Sequence, residues 1–248
     1  MKASLTPIRA ILKREWKAYF NSPVAYVFIV IFLVLSAFFT FNVSRFYEAG
    51  RADLGGFFFW HPWLYLLLVP AVAMRLWAEE RRTGTLELLL SMPVTTAQAI
   101  VGKFLAAWLF LLLALALTFP MVLTACYLGR PDPGPIIAGY LGSALLAGAY
   151  LAVGTFTSAL TRNQIISFIL AAVIGLFLLL AGFPPVTDIL YAVAPAWLVS
   201  VVAGFSFTGH YDQLQRGVVD LRDLLYFASV MVFMLFATHV TLENRKTK

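Results

Sequence analysis

The chain has 248 residues, 61% of them hydrophobic and 12% charged. Its mean hydropathy is +0.86, and soluble domains hold only roughly 45–50% apolar residues. That balance excludes an ordinary soluble enzyme and points to an all-α integral membrane protein. The net charge of +6 is read as cytoplasmic loops facing a bilayer, not as a nucleic-acid surface, because basic residues gather on the cytoplasmic side of membrane proteins.

The first predicted element is an amphipathic helix over 5–20. Ile8, Ile11, Leu12, Trp16 and Tyr19 fall at helical spacing, with Arg9, Lys13, Arg14 and Lys17 on the remaining face, the pattern of a helix lying on the cytoplasmic lipid surface. Anchoring in the membrane plane and contacting a partner are both open to it. The apolar run that follows is too long for a signal peptide and lacks a small-residue cleavage site.

Crossing roughly 30 Å of hydrocarbon at about 1.5 Å per residue takes about 20 apolar residues. Six runs qualify, at 24–43, 57–77, 104–128, 136–160, 165–183 and 223–241, and none has Asp, Glu, Lys or Arg in its middle third. The second opens with Phe57, Phe58, Phe59, Trp60, His61 and Trp63, which read as an interfacial aromatic belt that includes the histidine. The single Cys126 falls in the third run; it reads as a small core residue and has no intrachain disulfide partner. The fourth places Gly139 and Ser143, Ala144 and Gly148, and Gly154 and Ser158 four apart. Small residues at that spacing let helix backbones approach closely, either within the subunit or across a dimer seam.

Between the second and third runs lies the connection 79–102. Thr85 is placed to cap a short helix with Glu87 near its positive end, Leu86, Leu89 and Leu90 along one side, and Pro93 as its stop. Thr95 and Gln98 form a T-x-x-Q capping box that starts the next helix. A seventh apolar run at 189–205 is short and interrupted by Pro195. It is assigned, within an external segment 184–222, to short helices that dip into the membrane without crossing. Pro184, Pro185, Asp188 and Asp220 mark that segment as the place for an envelope partner or external gating.

Six crossings put both termini on one side, together with 13 of the 18 basic residues and five of the 12 acidic ones. That bias makes both termini cytoplasmic. The whole chain, 1–248, reads as a single transmembrane domain without repeats or flexible linkers.

No catalytic constellation is visible. His61, His210 and His239 are far apart without metal-ligand spacing, and Gly102-Lys103 lacks the upstream glycine and the following Ser or Thr of a phosphate-binding loop. The chain is therefore read as a non-enzyme holding no metal and no cofactor of its own.

The order E-x-x-x-G-T-L-E-x-L-L-x-x-P followed by Gly-Lys entering the next span resembles the type 2 ABC transporter permeases. Glu80, Gly84, Thr85, Leu86, Glu87, Leu89, Leu90, Pro93, Gly102 and Lys103 carry it. The opening RAILKREWKAYFNSPVAYV and the closing GFSFTGHYDQLQRGVVDLRDLLYF look like the gliding-motility GldF-like branch. The resemblance implies a multi-subunit complex in the bacterial cytoplasmic (inner) membrane. In it a cytoplasmic ABC ATPase dimer binds ATP and magnesium, and the permease is paired with a second copy or a paralogue. The short helix after the second span would be the coupling helix, with Glu79, Glu80, Arg81 and Arg82 at its root either facing the ATPase or paired with one another. Two other readings stand beside this one: a non-transporting scaffold that recruits a cytoplasmic partner, and an ion-coupled carrier, which would need a titratable group in mid-membrane.

Overall fold

A computed structural model describes residues 5–50, 52–85 and 94–246. Among them all regular structure is helical. Helix α1 (Leu5–Phe20) turns at Asn21-Ser22 into α2 (Pro23–Phe38), which continues as a π-helical turn, Phe39–Val43. Ser22 caps α2 by accepting from the Val24 N–H, and Pro23 at the first helical position sacrifices no hydrogen bond.

The second apolar run is not one helix. It is divided into α3 (Gly55–Phe59), α4 (His61–Ala73) and α5 (Arg75–Thr83). The first break, at Trp60, precedes Pro62, which cannot donate a backbone hydrogen bond. The second, at Met74, is not caused by proline and depends on a neighbouring helix, as its contacts show below.

Helix α6 (Thr96–Ala116) begins well before the apolar run, because the Thr95/Gln98 capping box is formed in both directions. It gives way at Leu117-Thr118 to α7 (Phe119–Leu128), where Pro120 withholds the N–H that the Ala116 carbonyl would have used. Helix α8 (Pro133–Leu160) is the axis of the bundle and touches α4, α5, α6, α9, α12 and α13. Helix α9 (Gln164–Leu180) starts on Asn163, whose side chain accepts from Ile165 and Ile166. Three short helices follow, α10 (Pro184–Val193), α11 (Ala196–Gly204) and α12 (Phe207–Gln215), and α13 (Leu221–Lys246) closes the fold. Pro195 caps α11 and is not a kink inside a longer helix.

Among the described residues, four segments suffice by length and composition to cross a membrane: Pro23–Val43, Thr96–Leu128, Pro133–Leu160 and Leu221–Asn244. A fifth is added if α9 and α10, bent by 75° at their junction, count as one. Large apolar side chains such as Val30, Val34, Leu67, Val173, Phe177, Val232, Phe233 and Phe236 are exposed on the outside of the bundle, as a chain solvated by lipid requires.

Three expectations change. The apolar face of α1 packs in part against protein: Ile11 is buried, and Gly102 of α6 has no Cβ that would meet its side chain at 2.9 Å. Tyr19 stacks on Phe110 of α6 at 4.9 Å. Cys126 is exposed on α7 and is not a core residue. His61 is wholly buried within the bundle and not open to a headgroup, because Ser143 of α8 supplies its ring with a polar partner.

Candidate functional site

The charged root EERR is held at the end of α5 by contacts that differ for each residue. Glu79 accepts from Arg82 at 2.7 Å across one helical turn on an exposed face. Arg81 donates to the Ala159 carbonyl at the end of α8, at 2.8 Å. Glu80 faces inward and pairs with Lys103 of α6 at 2.8 Å. Gly84 ends α5 in the left-handed conformation, φ +75°, which glycine adopts without the penalty a Cβ brings. The Thr85 hydroxyl meets that of Thr83 at 3.0 Å. Leu86, Glu87, Leu89, Leu90 and Pro93 lie outside the described residues.

Lys103 is the centre of this site. Its side chain is only 4% exposed, and its ammonium reaches both Glu80 and, at 3.3 Å, Glu15 of α1. It also lies over the ring of the buried Trp77, 5.3 Å from the centroid, where the ring quadrupole attracts a cation. Arg14 completes the group with a 2.7 Å bond to Glu15. Two cations and two carboxylates thus tie α1, α5 and α6 together at the point where the chain leaves α5 and returns as α6.

Burial opposes the charge on Glu15, but Lys103 and then Arg14 outweigh it and hold its pKa below the ordinary 4.5. A carboxylate depressed in the folded state contributes stability above its unfolded pKa and loses it as the pH falls through the folded value. Hydrogen exchange in α1 is therefore expected to stay slow from neutral pH down to about 4.5 and to quicken only below it. An onset near neutrality would show that Glu15 does not anchor the helix.

The break between α4 and α5 is closed by Ser158 of α8. Its hydroxyl accepts from the N–H groups of Trp77 and Ala78, each at 3.0 Å, and donates to the Met74 carbonyl at 2.9 Å. One serine therefore satisfies three backbone groups that the break would leave unpaired, using its donor and both lone pairs. Four residues earlier, a Cβ at Gly154 would collide with that of Ala73.

The other small positions of α8 serve different neighbours. Gly139 lies under the Phe58 ring, and Gly148 lies under Met231 and Trp108. Ser143 belongs to a buried chain of hydrogen bonds at the opposite end of the bundle. His61 Nδ1 is 2.6 Å from the Ser143 hydroxyl, which is 2.9 Å from the Tyr211 hydroxyl, which donates to the Phe58 carbonyl at 3.0 Å. With Tyr211 donating onward, Ser143 donates to Tyr211 and accepts from a protonated His61 Nδ1. Tyr211 pins α12 onto α3 and α8 in this way.

In α1, Ile8, Ile11, Leu12 and Trp16 lie on the half-buried to buried side, while Lys13, Arg14 and Lys17 are exposed. Sequence reasoning missed the part played by Glu15 and Lys103. The available signal was Glu15 itself, an acidic residue on the apolar face, four positions after Ile11 and seven after Ile8.

Among the described residues the site is a joint of ion pairs and side-chain to backbone hydrogen bonds that links α1, α5, α6 and α8. No curated protein matches the chain. A family model described as ABC-2 family transporter protein matches residues 12–182, more than half of the sequence and all of the joint. The chain belongs to the ABC-2 family of transporter membrane proteins.

Proposed function

We propose that this chain is the membrane subunit of an ATP-driven machine, in which a separate ATPase dimer docks on the segment following α5. The observation that carries this reading is the Lys103 joint. Because Glu80, Lys103 and Glu15 join α5, α6 and α1, a push on the connection between α5 and α6 is delivered to all three helices as one body and not absorbed by a hinge. Ser158 and Arg81 extend the same body to α8.

In this reading the chain crosses the inner membrane six times, α3 to α5 together forming the second crossing and α9 the fifth, with both termini and the joint cytoplasmic. The bias of Lys and Arg toward that end supports it. A second copy or a paralogue completes the complex, ATP and magnesium are held by the partner, and the work is export or action on envelope components. The short helices α10 to α12, pinned at Tyr211, form the external face available to an envelope partner.

The test is co-purification of the full chain with an ATP-binding protein, followed by assay of that partner's ATPase in membranes. Gly84→Pro and Glu87→Lys are each expected to lower the stimulated rate about tenfold, since coupling free energies between sites are typically about 1–3 kcal/mol. Normal expression with no ATP-binding partner, or an unchanged rate in both variants, would defeat the reading in favour of a scaffold that moves nothing.

A further inference from the structure

Beside the joint, enclosed by α1, α2, α4, α5 and α6, is a cavity of about 330 Å³, at the lower end of the range of about 300–1,000 Å³ typical of small-molecule sites. Its walls are mainly apolar, with Tyr19, Phe28, Ala71, Val72 and Phe110 among the lining residues. Along α2 it is bordered by Val24, Val27 and Ile31, all exposed on the outside of the bundle. The space is thus entered from the side, through the surface that faces lipid in the proposed membrane arrangement.

Three charged groups border the cavity: Glu15, Lys103 and Arg75. Glu15 and Lys103 are consumed by the joint, where Arg14, Lys103, Glu15 and Glu80 balance one another. Arg75 is exposed, and no carboxylate among the described residues pairs with it. The cavity therefore combines an apolar body, a lateral opening and one uncompensated guanidinium at the end where α4 passes into α5.

We propose that this cavity holds an anionic phospholipid of the cytoplasmic leaflet, with part of one acyl chain between α1, α2 and α4 and the phosphate on Arg75. The inference rests on the membrane orientation proposed above and goes beyond it, since the lipid is a resident part of the joint and not cargo. A free phosphate would meet Arg75 but leave the apolar space unfilled. A neutral lipid would fill the space but leave the guanidinium uncompensated. An anionic amphiphile satisfies both, and a guanidinium matches a phosphate with two parallel hydrogen bonds. The lipid would lie against Tyr19 and alongside Glu15 and Lys103, so that occupancy stiffens the contact of α1 and α2 with the joint.

The experiment uses the full chain purified with whatever partner accompanies it. After delipidation it is offered phosphatidylglycerol or phosphatidylcholine of identical acyl chains, and bound lipid is counted by native mass spectrometry. One phosphatidylglycerol per chain is expected, retained about fivefold better than phosphatidylcholine, a margin in line with one basic side chain facing an anionic lipid. Arg75→Gln is expected to erase the preference while leaving partner recovery unchanged, and to lower the melting temperature only where phosphatidylglycerol is present. Ala71→Leu, which fills the cavity, is expected to lower retention of both lipids.

The proposal is overturned if wild type shows no preference, if Arg75→Gln keeps it, or if inorganic phosphate displaces phosphatidylglycerol, which would make Arg75 a simple anion site. Efficient crosslinking of Val27→Cys to a second copy of the chain in membranes would show protein in the opening and overturn it equally. Partner recovery separates the two levels of inference. A chain that brings an ATPase but shows no lipid preference refutes only the lipid, and a chain that brings none refutes the ATP-driven machine whatever the lipid result.

Discussion

Replacing Lys103 by methionine is expected to destabilise the protein by about 3–5 kcal/mol, the range seen when one member of a buried ion pair is removed. The cost arises from what is left behind. Glu80 would keep a carboxylate turned toward α6 with no cation, and one of its oxygens, Oε2, is already buried without a hydrogen-bond partner. Glu15 fares better because Arg14 still holds it at 2.7 Å. The double change Lys103→Met with Glu80→Gln is therefore expected to recover more than half of the loss, because it leaves no lone buried charge. Adding Glu15→Gln to Lys103→Met should recover less. Unfolding of the purified chain in mixed micelles would measure this order directly. A Lys103→Met protein within about 1 kcal/mol of wild type would place the lysine among surface pairs of little worth and remove the basis for treating α1, α5 and α6 as one body. Lys103→Arg tests geometry rather than charge. The planar guanidinium must fit where a compact ammonium lies between two carboxylates and over an indole, so an intermediate loss is expected.

How much of this was legible depended on whether the cause was local. The capping box of Thr95 and Gln98 involves neighbours in the chain, and both of its bonds are formed. The amphipathic pattern of α1 is likewise local, and its helix runs Leu5–Phe20. What lay against that pattern was not legible, because Ile11 meets Gly102 only after folding. The buried state of His61 depends on Ser143 and Tyr211, one 82 residues and the other 150 residues along the chain. With those partners out of sight, a polar ring among aromatics is most economically placed at the interface. Lys103 was misjudged for the same reason: a lysine after glycine at the start of a span reads as a flank, and only the fold brings Glu15 and Glu80 to it. Met74 is the clearest case. No residue in the run 57–77 announces a break there, yet α4 ends at Ala73 and α5 begins at Arg75. The cause lies on α8.

That cause can be removed one atom at a time. Ser158→Ala keeps the packing of α8 and deletes the hydroxyl, which is expected to leave the N–H groups of Trp77 and Ala78 and the Met74 carbonyl unpaired in a site from which water is excluded. These N–H groups belong to the first turn of α5, whose donors have no partners within the helix, so Ser158 acts as a cap supplied by another helix. The expected cost is about 2–4 kcal/mol, from a penalty of about 1–3 kcal/mol for each buried polar group left unmade, moderated where the backbone can relax. Two readouts separate this from general loosening. Hydrogen exchange should rise at Trp77 and Ala78 before it rises in α6, and spin-label distances between α5 and α8 should broaden while those between α1 and α6 hold. Gly154→Ala makes the complementary change: it retains every hydrogen bond of Ser158 but drives a methyl into Ala73, so it should displace α4 bodily without selective exchange at α5. If Ser158→Ala leaves the exchange of Trp77 and Ala78 unaltered, Ser158 is no cap for α5, and Arg81 on the Ala159 carbonyl is left as the polar tie from α5 to α8 beside the Lys103 joint. If Ser158→Ala raises that exchange and Gly154→Ala does not, force applied beyond Thr85 has two routes into the bundle, one ionic through α6 and α1 and one through Ser158, beside Arg81, into the central helix.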